Sequence, residues 1–131
     1  MESSSWFVPI LPGKVEAWKE FTKESEARMP EHARSRRRAG ITREVVSLVE
    51  TPEGGFTSVF LEAENVPRAM QIIRESTDPY DKWFFEKIEE MHGADQANSE
   101  APLPKVYVDY REEQVSKPGE KVEEVRIDTR S

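Results

Sequence analysis

Two runs of β-forming residues on either side of a short turn constrain the fold of this 131-residue chain more than any other feature. Residues 41–50 are rich in β-branched side chains, and residues 56–63 carry Val59-Phe60-Leu61 at their centre. Between them, Thr51-Pro52-Glu53-Gly54-Gly55 has the composition of a turn. The pattern predicts a β-hairpin, because two such runs joined by a glycine-containing turn are typical of neighbouring antiparallel strands.

Amphipathic helices are predicted on both sides of this hairpin. Before it, apolar residues recur at steps of three and four over residues 15–29, and Pro30 restarts a shorter helix over residues 30–38. After it, one helix opens at Asn65-Val66-Pro67. Another is predicted over residues 78–93, with Asp78 as its cap and Pro79 in its first turn. Each helix has one apolar face to lay against a core.

Two further strands complete the predicted order. Residues 6–11 form a short apolar run that Pro12-Gly13 stops, and residues 105–110 alternate apolar and polar side chains. The order strand, helix, strand, strand, helix pair, strand predicts an α+β fold of the ferredoxin-like, split βαβ type, with an antiparallel sheet and helices on one face. Residues 1–110 would form the single domain. Residues 111–131 would be a charged tail, either mobile or with one short strand around Val122, Val125 and Ile127.

The sheet face away from the helices is too apolar to lie in open water. The side chains expected on that face are Trp6 or Phe7, Val45 or Val46, and Phe56 or Phe60. A second subunit is the simplest cover for such a face. The sequence therefore predicts a homodimer that forms through its sheets.

Composition excludes several classes of protein. The chain has no cysteine, which excludes disulfides, thiolate metal sites and a cysteine nucleophile, and favours a cytoplasmic location. We expect no membrane span, since no apolar run approaches about 20 residues, and no signal peptide. A net charge of −7 makes nucleic acid an improbable partner. No phosphate-binding glycine pattern is present, so no nucleotide cofactor is predicted.

Several segments of residues 6–93 are similar to a known superfamily. Residues 9–14, which lead into Trp18 and Phe21, resemble the start of dimeric α/β-barrel proteins, the superfamily of the antibiotic-biosynthesis monooxygenases. The chain is also similar to one uncharacterised bacterial family with that fold. The segments that carry this second likeness are 35–46, 61–63, 78–84 and 89–93.

The resemblance implies a pocket inside each subunit, between the sheet and the helices, that admits small aromatic or lipid-like molecules. Some members of the superfamily oxygenate such molecules without metal or flavin, and others isomerise them, degrade haem or only bind. Members that degrade haem resemble one another in an Asn–Trp–His set. Trp83 and His92 are present here, but residues 6–11 contain no asparagine. We therefore expect no cofactor.

The chain has two histidines, His32 and His92, so a general base near neutral pH is most simply one of them. His92 ends the aromatic helix, where the alternative is hydrogen bonding to the last helical carbonyls. His32 follows Pro30 in a first helical turn, where the alternative is simple surface placement. The two lie far apart in sequence, and no metal site is predicted.

Arg43 is the third candidate catalytic residue because it lies inside an apolar strand. Simple alternation places it on the same face as Ile41 and Val45. If it is buried there, its guanidinium needs a negatively charged partner. That partner is either a carboxylate on another strand, with Glu62 and Asp109 as candidates, or an anionic ligand whose oxyanion Arg43 would hold.

Aromatic side chains are the candidate walls of a ligand site. The aromatic side chains at helical spacing on the last long helix either pack in the core or line a pocket. Tyrosine and tryptophan suit a pocket because each ring offers apolar area and one polar group. The full set of ligand-binding candidates is Trp83, Tyr80, Phe84, Trp18 and Arg37.

A basic ridge, the stretch 34–43 within an arginine-rich region that starts at Arg28, supports a competing function. Residues 28–43 contain six arginines and one glutamate. Such a run is either a solvated helix face that pairs with neighbouring acids or a surface for an acidic partner. Two functions stay open. One is a binder of a small hydrophobic or aromatic molecule, with a cofactor-independent monooxygenase-like enzyme as one form of it. The other is a non-enzymatic interaction or scaffold protein that uses the ridge.

Overall fold

The structure, a computed structural model, describes residues 1–112 of the chain. It contains three strands and five helices in that range. They are β1 (Glu2–Pro9), α1 (Val15–Ala27), α2 (Met29–Arg38), β2 (Ile41–Thr51), β3 (Gly54–Ala63), α3 (Val66–Glu75), α4 (Pro79–His92) and α5 (Ala94–Ala97).

The sheet has the order β1-β3-β2, and β3 runs antiparallel to both neighbours. The predicted hairpin is confirmed as β2 and β3, which pair down to Thr51 and Gly54. The α+β class is confirmed as well. β1 begins earlier than predicted, at Glu2, because Ser3, Ser4 and Ser5 pair along the far end of β3 although serine is no strand signal.

The helix boundaries follow from local chemistry. The side chains of Asn65 and Asp78 accept hydrogen bonds from backbone N–H groups in the first turns of α3 and α4. Gly93 ends α4 with φ of 89°, in the region that favours glycine. α1 ends at Ala27, before the predicted break at Pro30. Pro30 lies in the first turn of α2, where a backbone N–H has no partner within the helix and proline is tolerated.

The prediction of a last strand over residues 105–110 is wrong. This segment has no strand structure, and four of its large side chains are exposed: Val106, Tyr107, Val108 and Tyr110. An alternating pattern shows only that apolar side chains would lie on one face. A strand also requires a neighbouring strand that forms hydrogen bonds with its backbone. The connection predicted over 94–104 contains the short helix α5. The strand considered around Val122 to Ile127 lies outside the described residues.

A β-bulge near the start of β2 decides which residues face the helices. Ile41 pairs with Ala63, and Arg43 pairs with Glu62, so Thr42 is an extra residue between two successive pairs. Beyond the bulge the register is regular, with Glu44 opposite Leu61 and Val46 opposite Val59. Ile41 and Glu44 therefore face the helices, and Arg43 faces the other side.

All contacts between the sheet and the long helices lie on one face, and they form two separate apolar clusters. One contains Leu61 and Ala63 with residues of α3, and the other contains Ile10 with residues of α1 and α4. The opposite face, called the open face below, carries no helix. Its largest apolar side chains are Phe7, Val45, Val49, Phe56 and Phe60.

Candidate functional site

The middle of the helix-facing side of the sheet is incompletely covered. Trp6, Val59 and Val46 lie side by side there, on neighbouring strands, and form what we call the central row. Val46 is 42% exposed and Val59 is only partly buried, and neither belongs to an apolar cluster. One row away on the central strand, Leu61 and Thr57 are buried. The helices thus leave an apolar strip of the sheet accessible between the two clusters.

A chain of three polar side chains lies next to the central row. Glu44 is two residues from Val46 on the same face of β2, and its Oε1 lies 2.5 Å from Nε2 of His32 on α2. Nδ1 of the same ring lies 2.6 Å from the hydroxyl of Tyr80 on α4. A carboxylate can only accept, so Nε2 of His32 carries a proton, and in the neutral ring Nδ1 accepts from Tyr80.

Arg36 keeps Glu44, the first of these three side chains, negatively charged. Its guanidinium donates to both carboxylate oxygens of Glu44 at 3.1–3.2 Å and to the Ser35 hydroxyl at 2.9 Å. Burial by itself raises the pKa of Glu44, but the hydrogen bond from His32 and the charge of Arg36 more than offset it and lower the pKa to about 2. Glu44 is therefore ionised at neutral pH and holds the imidazole in one orientation.

Aromatic rings surround Tyr80, the last of these three side chains. Tyr80 packs 5.4 Å from Trp83 and 6.1 Å from Phe84, measured between ring centroids. The guanidinium of Arg28 lies over the rings of Tyr80 and Trp83, and that of Arg36 lies over Phe84. Burial raises the pKa of Tyr80. The Tyr80 hydroxyl keeps its proton and occupies Nδ1 of His32. Another group could therefore pass a proton to Nδ1 only by displacing this hydroxyl.

The structure brings four predicted residues together and separates the others. His32, Tyr80, Trp83 and Phe84 form the site just described. His92 and Trp18 meet in another place, where the Thr57 hydroxyl oxygen lies 2.8 Å from the Trp18 indole nitrogen and 2.6 Å from Nε2 of His92.

The hydrogen bonds of His92 are all internal. Its Nδ1 donates to the carbonyl of Ile88 at 3.0 Å, so in the neutral ring Nε2 accepts from Thr57, whose oxygen accepts from Trp18. The side chain is buried, and burial lowers the pKa of His92. This arrangement ties α1 and α4 to the central strand.

Arg43 is not where simple alternation places it. The prediction that it shares a face with Ile41 is wrong, because the bulge at Thr42 turns it to the open face together with Val45. It is exposed, and its guanidinium lies 5.9 Å from the Phe60 ring. Glu62 is its cross-strand neighbour as expected, but the ion pair of Glu62 is with Arg111, at 3.6 Å.

Two of the five arginines in the basic ridge form ion pairs with acids on other elements. Arg36 pairs with Glu44, and Arg38 lies 3.0 Å from Asp81 and 3.5 Å from Asp78. Arg28, upstream of the ridge, pairs with Glu31 at 2.8 Å. Arg34 and Arg37 remain exposed on α2. Arg36 and Arg38 therefore join α2 to β2 and to the start of α4.

Comparison with protein-family models, with curated proteins and with solved structures finds no match. The site must be interpreted from its own geometry. In residues 1–112, no group of three or more His, Asp or Glu side chains is arranged to hold a metal ion. No helix in this range is long and apolar enough to cross a membrane.

Sequence reasoning missed Glu44, which is the centre of the site. Its position inside an apolar strand was visible, but alternation gave it the wrong face. The bulge that corrects this depends on how β2 pairs with β3. Arg36 was counted within the ridge, since nothing in the run shows which arginine turns inward.

Removing the charge of Glu44 should destabilise the fold and flatten its pH dependence. Because the pKa falls from 4.5 to about 2 on folding, the ionised carboxylate contributes up to about 3 kcal/mol, present above pH 4.5 and lost as pH falls towards 2. We expect Glu44→Gln to lose most of this at pH 7. Urea unfolding between pH 2.5 and pH 7 measures it. The exposed turn variant Glu53→Gln is the control, and equal profiles for the two variants would refute the assignment.

Replacing Thr57 with valine should cost about 1–3 kcal/mol, because Trp18 and His92 lose their shared hydrogen-bond partner in the core. Thermal and urea unfolding of Thr57→Val, compared with Thr77→Val at an exposed position, measures the loss. A Thr57→Val protein as stable as the wild type would show that the hydroxyl bridge is unimportant.

Proposed function

We propose that this protein binds a small hydrophobic or aromatic molecule between its sheet and its helices, and that it does so as a homodimer of ferredoxin-like subunits. The incomplete cover over the central row carries the proposal. Apolar area on the inner side of a sheet is normally buried by the helices packed on it. Here Val46 and Val59 are left accessible, beside the aromatic cluster on α4.

The surroundings of the central row favour an uncharged or weakly acidic ligand. Trp6, Val59 and Val46 offer apolar contacts, and Arg36 balances the negative charge of Glu44. Because Arg36 is already paired, it is not available to hold a strongly anionic molecule. A planar apolar molecule would gain contact with the row at no electrostatic cost.

Cofactor-independent oxygenation is a second candidate, and the Glu44–His32 pair favours it. An imidazole held by a carboxylate is a competent general base, because the carboxylate stabilises the imidazolium that forms. A phenol that displaced the Tyr80 hydroxyl would pass its proton to Nδ1 of His32 and leave a phenolate. The phenolate would then reduce dioxygen with its own electrons: one oxygen atom would enter the ring to give a quinone, and the other would leave as water.

The composition of the open face supports the homodimer. In a chain with 34% charged residues, the open face of the three strands has only two, Arg43 and Glu62. Depletion of charge is typical of the central part of a protein interface. Phe7 is 69% exposed on this face, and Val45 and Val49 are also exposed. A second copy that packs sheet against sheet would remove these side chains from water.

Adjacent valines on β2 separate the two parts of the proposal. We expect Val46→Asp to abolish binding of the neutral probe N-phenyl-1-naphthylamine, because it places a carboxylate on the central row, while the protein stays dimeric. Val45→Asp should have the opposite effect, because it places the charge on the open face. Fluorescence titration measures probe binding, and sedimentation equilibrium measures assembly. Both valines are about 40% exposed, so both variants are expected to fold.

Each part can fail independently. If Val46→Asp binds the probe as the wild type does, the central row is not the ligand site. If Val45→Asp and the wild type have the same molecular mass in solution, the open face is not the interface.

A further inference from the structure

The segment 105–110, called the arm below, is held at both ends and carries its apolar side chains outward. At its start, Leu103 packs on the cluster around Leu61, and the Ser4 hydroxyl donates to the carbonyl of Pro104 at 3.4 Å. At its end, Arg111 reaches Glu62, whose side chain is 2% exposed. Between these ends the exposed fractions of Val106, Tyr107, Val108 and Tyr110 are 46%, 91%, 83% and 71%.

The start of the arm lines an open groove. Residues 102–106, the first residues of β1 and the start of α3 surround this groove of about 630 Å³. The outer edge of β1 pairs with no strand in the described part of the chain. The arm thus exposes two tyrosines and two valines side by side, and apolar patches of this kind are typical of interaction surfaces.

We propose that the arm packs against the open face of a second copy of this chain. The inference rests on the homodimer proposed above and extends it from the sheets to residues 105–110. The arm and the open face form one continuous surface, because Arg111, at the end of the arm, is bound to Glu62 on that face. A two-fold interface uses the same patch on both copies, so each arm meets the other copy's sheet.

Area favours a second copy as the occupant. Phe7, Tyr107 and Tyr110 are 69%, 91% and 71% exposed. At about 150–250 Å² for each aromatic side chain, they offer about 350–600 Å² of apolar area. With the exposed valines of the arm and of β2, the patch approaches the roughly 800 Å² per partner of a stable interface.

Charge does not oppose the contact. The arm carries one base, Lys105, and one acid, Asp109, and the open face carries Arg43 and Glu62, so neither surface has a net charge that would repel a second copy. By contrast, nearly half of residues 113–131 are charged, so the rest of the chain is a poor apolar cover for the arm.

Photocrosslinking tests which surface the arm touches. We expect full-length protein with Tyr107→p-benzoylphenylalanine to form covalent dimers under ultraviolet light, with the crosslinked peptides mapping to the open face of β2 and β3. Met29→p-benzoylphenylalanine is the matched control, since Met29 is 48% exposed on the helical side. It should give no crosslinked dimer.

Sedimentation equilibrium supplies the energetic test. The double variant Tyr107→Ser, Val108→Ser should raise the dimer dissociation constant at least about tenfold. An unchanged dissociation constant, or crosslinks confined to residues of the same chain, would overturn the proposed contact of the arm with a second copy. The sheet-to-sheet dimer would remain in place. A wild-type protein that is monomeric would overturn both.

Discussion

The extra residue at Thr42 determines how β2 divides its side chains between two environments. Without it, strict alternation from Ile41 would send Glu44 to the open face and Arg43 towards the helices. With it, Glu44 meets His32 and Arg36 from α2. A one-residue shift thereby converts a surface glutamate into the anchor of the polar cluster, and an inward arginine into an exposed one.

The Glu44 cluster in turn positions α2 and α4. His32 and Arg36 both lie on α2, and Tyr80 and Phe84 on α4 contact them from the other side. Arg38 adds a second link through Asp81, whose side chain is 3% exposed. Removing one member of a buried ionic cluster leaves the others without compensation, so the arrangement is strongly interdependent. These contacts join α2 to α4, and the central row is left accessible on the same side of the sheet.

Much of the fold follows from sequence, and the reasons are local. The hairpin, the caps at Asn65 and Asp78 and the end of α4 at Gly93 depend on chemistry within a few residues. The aromatic stripe of α4 predicted Tyr80, Trp83 and Phe84 as neighbours. The bulge and the missing last strand depend on pairing between distant segments, which periodicity does not report. The same limit explains why His92 and Arg43 were grouped with His32 in the candidate site.

The sheet therefore has two different faces: one carries helices that leave an apolar strip uncovered, and the other, the open face, carries little charge. Native mass spectrometry of freshly purified full-length protein tests this account most directly, because it reports assembly and bound molecules together. The account predicts a mass of two chains with a small-molecule adduct that is lost on denaturation. A single chain without adduct would contradict it.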